Sequence, residues 1–181
     1  MTGSQHSIVL DTNVWIDYFF PWRERSNDAK KLIDLALRKG VTLLYPVHAL
    51  KDVFYLASES AKQKAREDSG SLTESQALAA QALAWGCVES MRENATAIGT
   101  DESDVWLACK YRNLSGDLED NMVMASAQRA RTDFLVTSDA NLLRKSTVQA
   151  HTIEDAISLL ELADILTLSG RAEQTRRHSR R

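Results

Sequence analysis

Short apolar segments alternate with helical patterns along most of the chain, and this alternation restricts the fold more than any other feature of the sequence. Five segments have the length and apolar content of strands: Ile8–Leu10, Val41–Tyr45, Ala95–Ile98, Asp133–Thr137 and Thr147–His151. Strands that alternate with helices pair in parallel through right-handed crossovers. We therefore predict an α/β protein with an open parallel sheet of four to five strands and helices on both faces.

Local signals predict where several helices begin and end. Ser26 is the predicted N-cap of a helix that Gly40 terminates. Thr73 and Gln76 have the spacing of a capping box ahead of an Ala-rich helix. Between these helices, the segment from Lys62 to Ser71 is predicted to be a polar connection.

Chain length and charge indicate one globular domain with a polar tail. The 181 residues are 44% hydrophobic and 26% charged, with a net charge of -3, which is ordinary for a globular domain with a real core. We predict a domain over residues 1–165, with a helical hairpin arm at about 57–94, and a basic, disordered tail over residues 166–181. Because the overall charge is slightly acidic, any nucleic-acid site must be a local basic patch.

Cysteine usage and the N-terminal sequence favour a cytoplasmic location. Cys87 and Cys109 both lie in helical, largely apolar contexts and are too few for a disulfide framework. No basic leader or long apolar segment precedes the first strand, so neither secretion nor membrane insertion is expected.

Acidic residues follow several of the predicted strands. Asp11 directly follows the first strand, and Asp139 follows the apolar run "FLVTS". Asp52 lies in the first turns of the helix after "VTLLYP", whereas Asp117 and Asp120 lie three residues apart at a helix start and share a face. In open parallel sheets the functional site lies beyond the carboxyl ends of the strands. We therefore expect these carboxylates to converge at one edge.

Taken singly, each acid has an ordinary explanation as a helix cap or a turn residue. Together they would repel one another, and a divalent cation removes that penalty. Oxygen ligands suit Mg²⁺ or Mn²⁺ better than zinc, and such an ion polarises a phosphoryl oxygen and activates water. The pattern therefore predicts phosphodiester hydrolysis, with Thr12, Asn13 and Ser138 orienting the carboxylates or the metal's water ligands.

Two segments, "IVLDTNVWIDYF" and "DLEDNMVMASAQRARTDFLVTSD", resemble the PIN domain family, and the similarity extends from about Ile8 to Leu160. The resemblance implies a three-layer α/β/α sandwich and a metal-dependent endoribonuclease. Many small bacterial members are the toxin of a VapBC toxin–antitoxin pair. The implied partners are therefore an RNA substrate, a cognate antitoxin and a second copy of the chain.

The resemblance also assigns roles to individual acids. Asp11, Asp120 and Asp139 match metal-binding positions of the family, and Asp117 is an accessory metal ligand. Asp52 takes the second acidic position, so that the implied catalytic set is Asp11, Asp52, Asp120 and Asp139. The family usually has Glu at that second position, and Asp is one methylene shorter.

Basic and aromatic residues near the predicted edge are candidates for binding RNA. The cations are Arg23, Arg25, Arg144 and Lys145. Exposed aromatic rings near them would stack on bases. We interpret Trp15 as a core residue and Trp22 as an exposed one.

Two alternatives to an active nuclease remain open, and the first follows from departures from the family pattern. Asp52, together with Asn121 where the family usually has Ala, is compatible with a PIN-like module that binds RNA or protein without cutting; by itself we interpret Asn121 as inert. A phospho-accepting receiver domain also has an acidic Mg²⁺ pocket on a parallel sheet. It needs paired acids after the first strand, but here five residues separate Asp11 from Asp17, so this alternative ranks last.

Overall fold

The computed structural model describes residues 6–162. Within them, five strands form a single sheet in which every neighbouring pair is parallel. The strands are β1 (Ser7–Leu10), β2 (Thr42–Pro46), β3 (Thr96–Ile98), β4 (Phe134–Val136) and β5 (Ala150–His151). Their spatial order is β3-β2-β1-β4-β5, so β1 lies in the middle of the sheet.

Helices cover both faces of this sheet, which confirms the predicted α/β/α sandwich. They are α1 (Thr12–Phe19), α2 (Ser26–Arg38), α3 (Ala49–Ser69), α4 (Glu74–Asn94), α5 (Glu102–Tyr111), α6 (Leu118–Ala130), α7 (Ala140–Lys145) and α8 (residues 153–162). No helix within the described range has the length and apolar content needed to cross a membrane. The predicted basic tail, residues 166–181, lies outside the described residues.

Alternate residues of β1 supply the two halves of the core. Ile8 and Leu10 pack with buried residues of α1, α2, α3, α4 and α8, whereas Val9 packs on the opposite face with α6 and α7. This division follows from the two-residue period of a strand. Because β1 is buried on both faces, the residue that follows it is held at the centre of the sheet's carboxyl edge.

The polar segment from Lys62 to Ser71 is mostly helical, so the predicted connection is wrong. α3 continues to Ser69 and ends at Gly70, whose φ of +75° suits a residue without a side chain. Ion pairs along the helix, such as Lys64 with Asp68 at 2.7 Å, stabilise this stretch where apolar residues are scarce.

Two of the predicted helix caps have different outcomes. The Thr73–Gln76 capping box is present at the start of α4, with both reciprocal hydrogen bonds. Ser26 is instead the first residue of α2, and its buried hydroxyl finds no hydrogen-bond partner among the described residues. The N-cap position belongs to Arg25, whose side chain makes no capping bond.

α3 and α4 form a long helical hairpin beside the sheet. Each helix has 21 residues and is therefore about 30 Å long. The hairpin exposes large apolar side chains, among them Tyr55, Leu78 and Trp85. It includes the predicted arm at about 57–94, although α3 begins earlier, at Ala49.

Candidate functional site

Asp11 occupies the centre of the sheet's carboxyl edge. Its backbone N–H donates to the carbonyl of Val136 at 3.0 Å, which fixes the residue between β1 and β4. One carboxylate oxygen accepts from the Thr12 amide and caps α1, and the other accepts from the Thr137 hydroxyl, both at 2.7 Å. Only 6% of the residue is exposed.

Burial raises the pKa of Asp11 to about 6. The two hydrogen bonds to its carboxylate act in the opposite direction, and the negative charges of Asp120 and Asp139 raise the pKa further. Two of the other predicted metal-binding acids, which come from distant parts of the sequence, therefore affect the pKa of the buried acid.

Thr137 links Asp11 to Asp139. Its hydroxyl donates to Asp11 and accepts the backbone N–H of Asp139 at 3.0 Å. One oxygen of Asp139 caps α7 by accepting from the amides of Asn141 and Leu142. The sequence patterns did not indicate Thr137, although a hydroxyl residue at the end of the apolar run "FLV" was a usable signal.

The start of α6 brings two more predicted acids to the site. Asp117 caps the helix by accepting from the Glu119 amide at 2.8 Å. Asp120 accepts from the Ser115 hydroxyl at 3.2 Å, and its pKa is raised by partial burial and by the charges of Asp117 and Asp139. Asn121 is buried and donates to the Ser115 carbonyl, so it braces the loop that leads into the acidic turn.

Asp52 lies in the first turn of α3, on the β2 side of the same edge. Its carboxylate is 3.4 Å from the Lys51 amine and is mostly shielded from solvent. The negative charge of Asp52 also contributes to the raised pKa of Glu119, so the starts of α3 and α6 lie within electrostatic range of each other. The structure thus brings all five predicted acids to one edge.

Glu119 belongs to the same group of acids, although the sequence patterns did not indicate it. Although Glu119 is exposed as a whole, desolvation of its carboxyl group raises the pKa of that group, and the charges of Asp52, Asp11, Asp117 and Asp120 raise it further. The spacing of Asp117 and Asp120 drew attention to one helical face. Glu119 lies about 100° away from Asp120 around the helix, so that spacing did not indicate it.

The predicted polar neighbours of the acids are partly buried around Asp11. Within the described part of the chain, the hydroxyl oxygens of Thr12 and Ser138 are buried and have no protein hydrogen-bond partner. Asn13 is half-buried. A buried hydroxyl without a partner is costly unless a water or a ligand satisfies it, so these two atoms fit a site that binds further polar groups.

The predicted RNA-binding cations lie in different electrostatic settings. Arg23 is 2.5 Å from the buried carboxylate of Asp17, and Arg25 is 4.0 Å from Glu154. Arg144 donates to Asn141 at 2.6 Å. Lys145 lies within electrostatic range of Asp120 and lowers its pKa, so it is the predicted cation that the structure couples directly to the acidic edge.

The interpretation of the tryptophans is confirmed. Trp15 is fully buried and stacks with Phe19, whereas Trp22 is 47% exposed.

The donor set at this edge suits a hard divalent cation. Carboxylate and hydroxyl oxygens surround Asp11, and histidine and cysteine are absent from the predicted set. Across residues 6–162, however, no three acidic, histidine or cysteine side chains form a ready-made metal site. The carboxylates therefore do not form a compact ligand set in this conformation, and a divalent cation would offset their mutual repulsion.

Comparisons with known proteins agree with this architecture. A family model described as a PIN domain matches residues 7–141. VapBC2 from Rickettsia felis, in a structure bound to a promoter DNA fragment, superposes with a TM-score of 0.58 at 12% identity, covering 81% of this chain and 98% of that one. PAE2754 from Pyrobaculum aerophilum has a TM-score of 0.56 at 15% identity, with 87% and 96% covered.

A third similar structure is VapBC-1 from nontypeable Haemophilus influenzae, with a TM-score of 0.53, 15% identity, and coverage of 82% of this chain and 98% of that chain. No curated protein sequence matches the chain. Structural matches at 12–15% identity establish only the fold. The family model matches residues 7–141, which are most of the chain, and it therefore establishes the family. The chain therefore belongs to the PIN domain family, whose members are in general nucleases.

Proposed function

We propose that this protein is a metal-dependent endoribonuclease that hydrolyses RNA phosphodiester bonds. The observation that supports the proposal best is the buried Asp11, whose pKa is raised to about 6 at an edge where Asp120 and Asp139 add negative charge. A structural cap does not require such an arrangement, because one carboxylate suffices for it. A group of acids held against its own repulsion is typical of a cation site.

In this proposal Asp11, Asp117, Asp120 and Asp139 hold Mg²⁺ or Mn²⁺, and Asp52 completes the catalytic set. The ion, when bound, polarises a phosphoryl oxygen and lowers the pKa of a water molecule. Thr137 keeps the Asp11 carboxylate oriented through its 2.7 Å hydrogen bond. Lys145 and Arg144, in the last turn of α7, are positioned to attract the RNA backbone.

The test is cleavage of a labelled RNA pool by the purified protein. We expect cleavage with Mg²⁺ or Mn²⁺, its loss in EDTA, and a loss of at least about 100-fold in Asp11→Asn and Asp120→Asn, the size typical for removing a group that stabilises the transition state. Asp34→Asn is a matched control, because Asp34 is an exposed acid on α2. Equal cleavage by Asp11→Asn and the wild-type protein would contradict the proposal.

The second candidate function is a PIN-like module that binds RNA or protein without cutting. It is favoured by the hydrogen bonds that occupy both oxygens of Asp11 and by the short side chain at position 52. Asp52→Glu discriminates the two functions. Activity that appears only in this variant would identify the natural protein as a binding module with a degraded site.

We also propose that the protein acts in the cytoplasm as the toxin of a VapBC-type pair, as a homodimer with a cognate antitoxin. Similarity to VapBC structures over more than 80% of the chain supports this. The exposed apolar residues of the α3–α4 hairpin are candidates for these contacts. Co-expression with the product of the adjacent reading frame should yield a stable complex that no longer cleaves RNA.

A further inference from the structure

A polar cleft separates the turn after α1 from the middle of α3. The cleft has a volume of about 400 Å³. Asp17, Trp22 and Arg23 line one side of it, and Gln63 and Glu67 of α3 line the other side. The acids of the sheet edge do not line this cleft, so it is a separate feature with its own chemistry.

Asp17 is a buried acid whose hydrogen-bonding capacity is only partly used. Its side chain is 4% exposed. The Oδ1 atom accepts from Arg23 Nε at 2.5 Å, whereas Oδ2 accepts no hydrogen bond from the residues that the structure describes. A buried carboxylate oxygen without a donor is costly. Asp17 therefore offers an acceptor to a ligand that carries N–H groups into the cleft.

The opposite side of the cleft also presents acceptor oxygens. Gln63 donates through Nε2 to Glu67 Oε1 at 3.0 Å. This bond leaves the carbonyl oxygen of Gln63 and the second carboxylate oxygen of Glu67 available to a ligand. The cleft thus favours a ligand with several N–H donors.

Trp22 adds an aromatic face to the same cleft. Its ring is 47% exposed and packs against Phe20, with the ring centroids 4.9 Å apart. Phe20 is 1% exposed, so it holds Trp22 from behind. An exposed ring that is held in this way suits stacking with a flat nucleobase.

The cleft lies close enough to the acidic edge for one RNA strand to contact both. α1 begins directly after Asp11, and Asp17 lies about 9 Å further along the helix axis. Arg25, in the same turn as Trp22, is 4.0 Å from Glu154, in the first turn of α8, which follows β5. The turn that carries Trp22 is therefore on the carboxyl side of the sheet, where exposed arginines attract phosphate groups.

We propose that this cleft is a base-binding subsite that selects guanine in the RNA substrate. The inference rests on the proposed function, because it takes RNA as the ligand. Guanine presents two adjacent donors on its Watson–Crick edge, N1–H and the N2 amino group, which match the acceptor oxygens of a carboxylate. The other three bases present a donor beside an acceptor there, and the acceptor would face the negative charge of Asp17. Single-stranded RNA is read through such edge contacts combined with stacking.

The experiment measures the binding of fluorescently labelled RNA heptamers by the full-length protein in EDTA, so that metal-dependent cleavage does not interfere. The heptamers are oligouridine with guanosine, inosine or adenosine at the central position. We expect the guanosine heptamer to bind about 10-fold more tightly than the adenosine heptamer, which is typical of a bidentate base contact. Inosine lacks the N2 amino group and should lose much of this preference.

Two substitutions assign the preference to the cleft. Asp17→Asn should abolish the preference for guanosine, because an amide nitrogen replaces an acceptor oxygen. Trp22→Ala should weaken binding of the guanosine heptamer by roughly 5- to 100-fold, the usual effect of losing a stacking contact, whereas Trp22→Phe should retain most of the affinity. Trp106→Ala is the matched control, because Trp106 is an exposed tryptophan of α5 that does not line the cleft.

The outcomes separate this inference from the proposed function. Equal affinity of the wild-type protein for the three heptamers would overturn the inference, as would a guanosine preference that persists in Asp17→Asn. Failure of every heptamer to bind would also overturn it and would favour a protein ligand for the cleft. None of these results bears on metal-dependent cleavage, which the RNA cleavage assay tests. If melting curves show that Asp17→Asn does not fold, the comparison of guanosine with inosine decides, because it needs no variant.

Discussion

At the scale of single residues, Asp11 shows a conflict between stability and the proposed function. Its carboxylate is almost completely buried, and its pKa of about 6 lies well above the ordinary value of 3.8. The folded state therefore binds this proton more tightly than the unfolded chain does. Ionised Asp11 destabilises the metal-free fold at neutral pH, and the penalty disappears as the pH falls from about 6 to below 3.8.

Replacing this carboxylate should stabilise the metal-free protein. The difference between 3.8 and about 6 corresponds to roughly 3 kcal/mol, so Asp11→Asn should unfold at higher urea than wild type at pH 7.5. The advantage should vanish near pH 4, where Asp11 is protonated. Urea titrations in EDTA at both pH values test this, with Asp34→Asn as the control. If Asp11→Asn were less stable than the wild-type protein at pH 7.5, burial could not be the dominant cause of the raised pKa of Asp11.

Thr137 should be the most sensitive uncharged residue of the site. Thr137→Val removes a buried hydroxyl that donates to Asp11 and accepts from the Asp139 amide. We expect a loss of about 1–3 kcal/mol in unfolding free energy, together with a further rise in the pKa of Asp11. Thr137→Ser keeps the hydroxyl and should retain most of both properties. Carboxyl NMR titration and urea unfolding measure the two effects, and equal behaviour of Val and Ser would refute the role of the hydroxyl.

The positions of the acids were easier to predict from the sequence than the residues that surround them. Asp11, Asp120 and Asp139 were predictable because each follows a strand or begins a helix, and chain direction alone puts such positions at one edge of a parallel sheet. Glu119 and Thr137 were missed for a different reason. Their roles depend on which way a side chain points, and that direction is set by helix rotation and by contacts between residues distant in sequence.

At the scale of elements, the α3–α4 hairpin shows where local signals suffice and where they fail. Its connection is defined by Gly70 in the left-handed conformation and by the Thr73 capping box, and the box was predictable from four consecutive residues. The second half of α3 was not predictable from its apolar residues. It is polar on most sides, and its helical state depends on ion pairs and on packing against α4.

The capping box should contribute measurably to the hairpin. Thr73→Ala removes the side-chain acceptor for the Gln76 amide, which lies 3.2 Å away. The expected cost is about 1 kcal/mol, measured as a lower urea midpoint and faster amide exchange in the first turn of α4. Ser71→Ala is the control, because Ser71 is exposed in the same connection. Equal stability of the Thr73 and Ser71 variants would show that packing alone positions α4.

At the scale of the whole molecule, strand order determines where the acids meet. The sequence predicted a parallel sheet, but the order β3-β2-β1-β4-β5 depends on which face each crossover covers, and local patterns do not encode that choice. The observed order puts β1 between β2 and β4, so Asp11 lies between the acids that follow those strands. The acids converge because of this topology, and the starts of α3, α6 and α7 each supply an acid to the site.

A cation that binds this edge must stabilise the whole fold, because the unfolded chain does not gather the acids. At Mn²⁺ concentrations about 100-fold above the dissociation constant, the stabilisation is about 2.7 kcal/mol, which raises the melting temperature by roughly 5–10 °C for a domain of this size. Asp11→Asn and Asp120→Asn should lose most of that increase, whereas Asp34→Asn should keep it.

This stabilisation should also depend on pH in a direction fixed by Asp11. Below its pKa of about 6, a proton occupies the carboxylate and competes with the ion, so the increase in melting temperature should be larger at pH 7.5 than at pH 5. KCl at matched ionic strength controls for simple screening of the repulsion. An equal increase at both pH values, or an equal increase with KCl, would mean that Mn²⁺ acts elsewhere on the surface and that the acidic edge does not bind the ion.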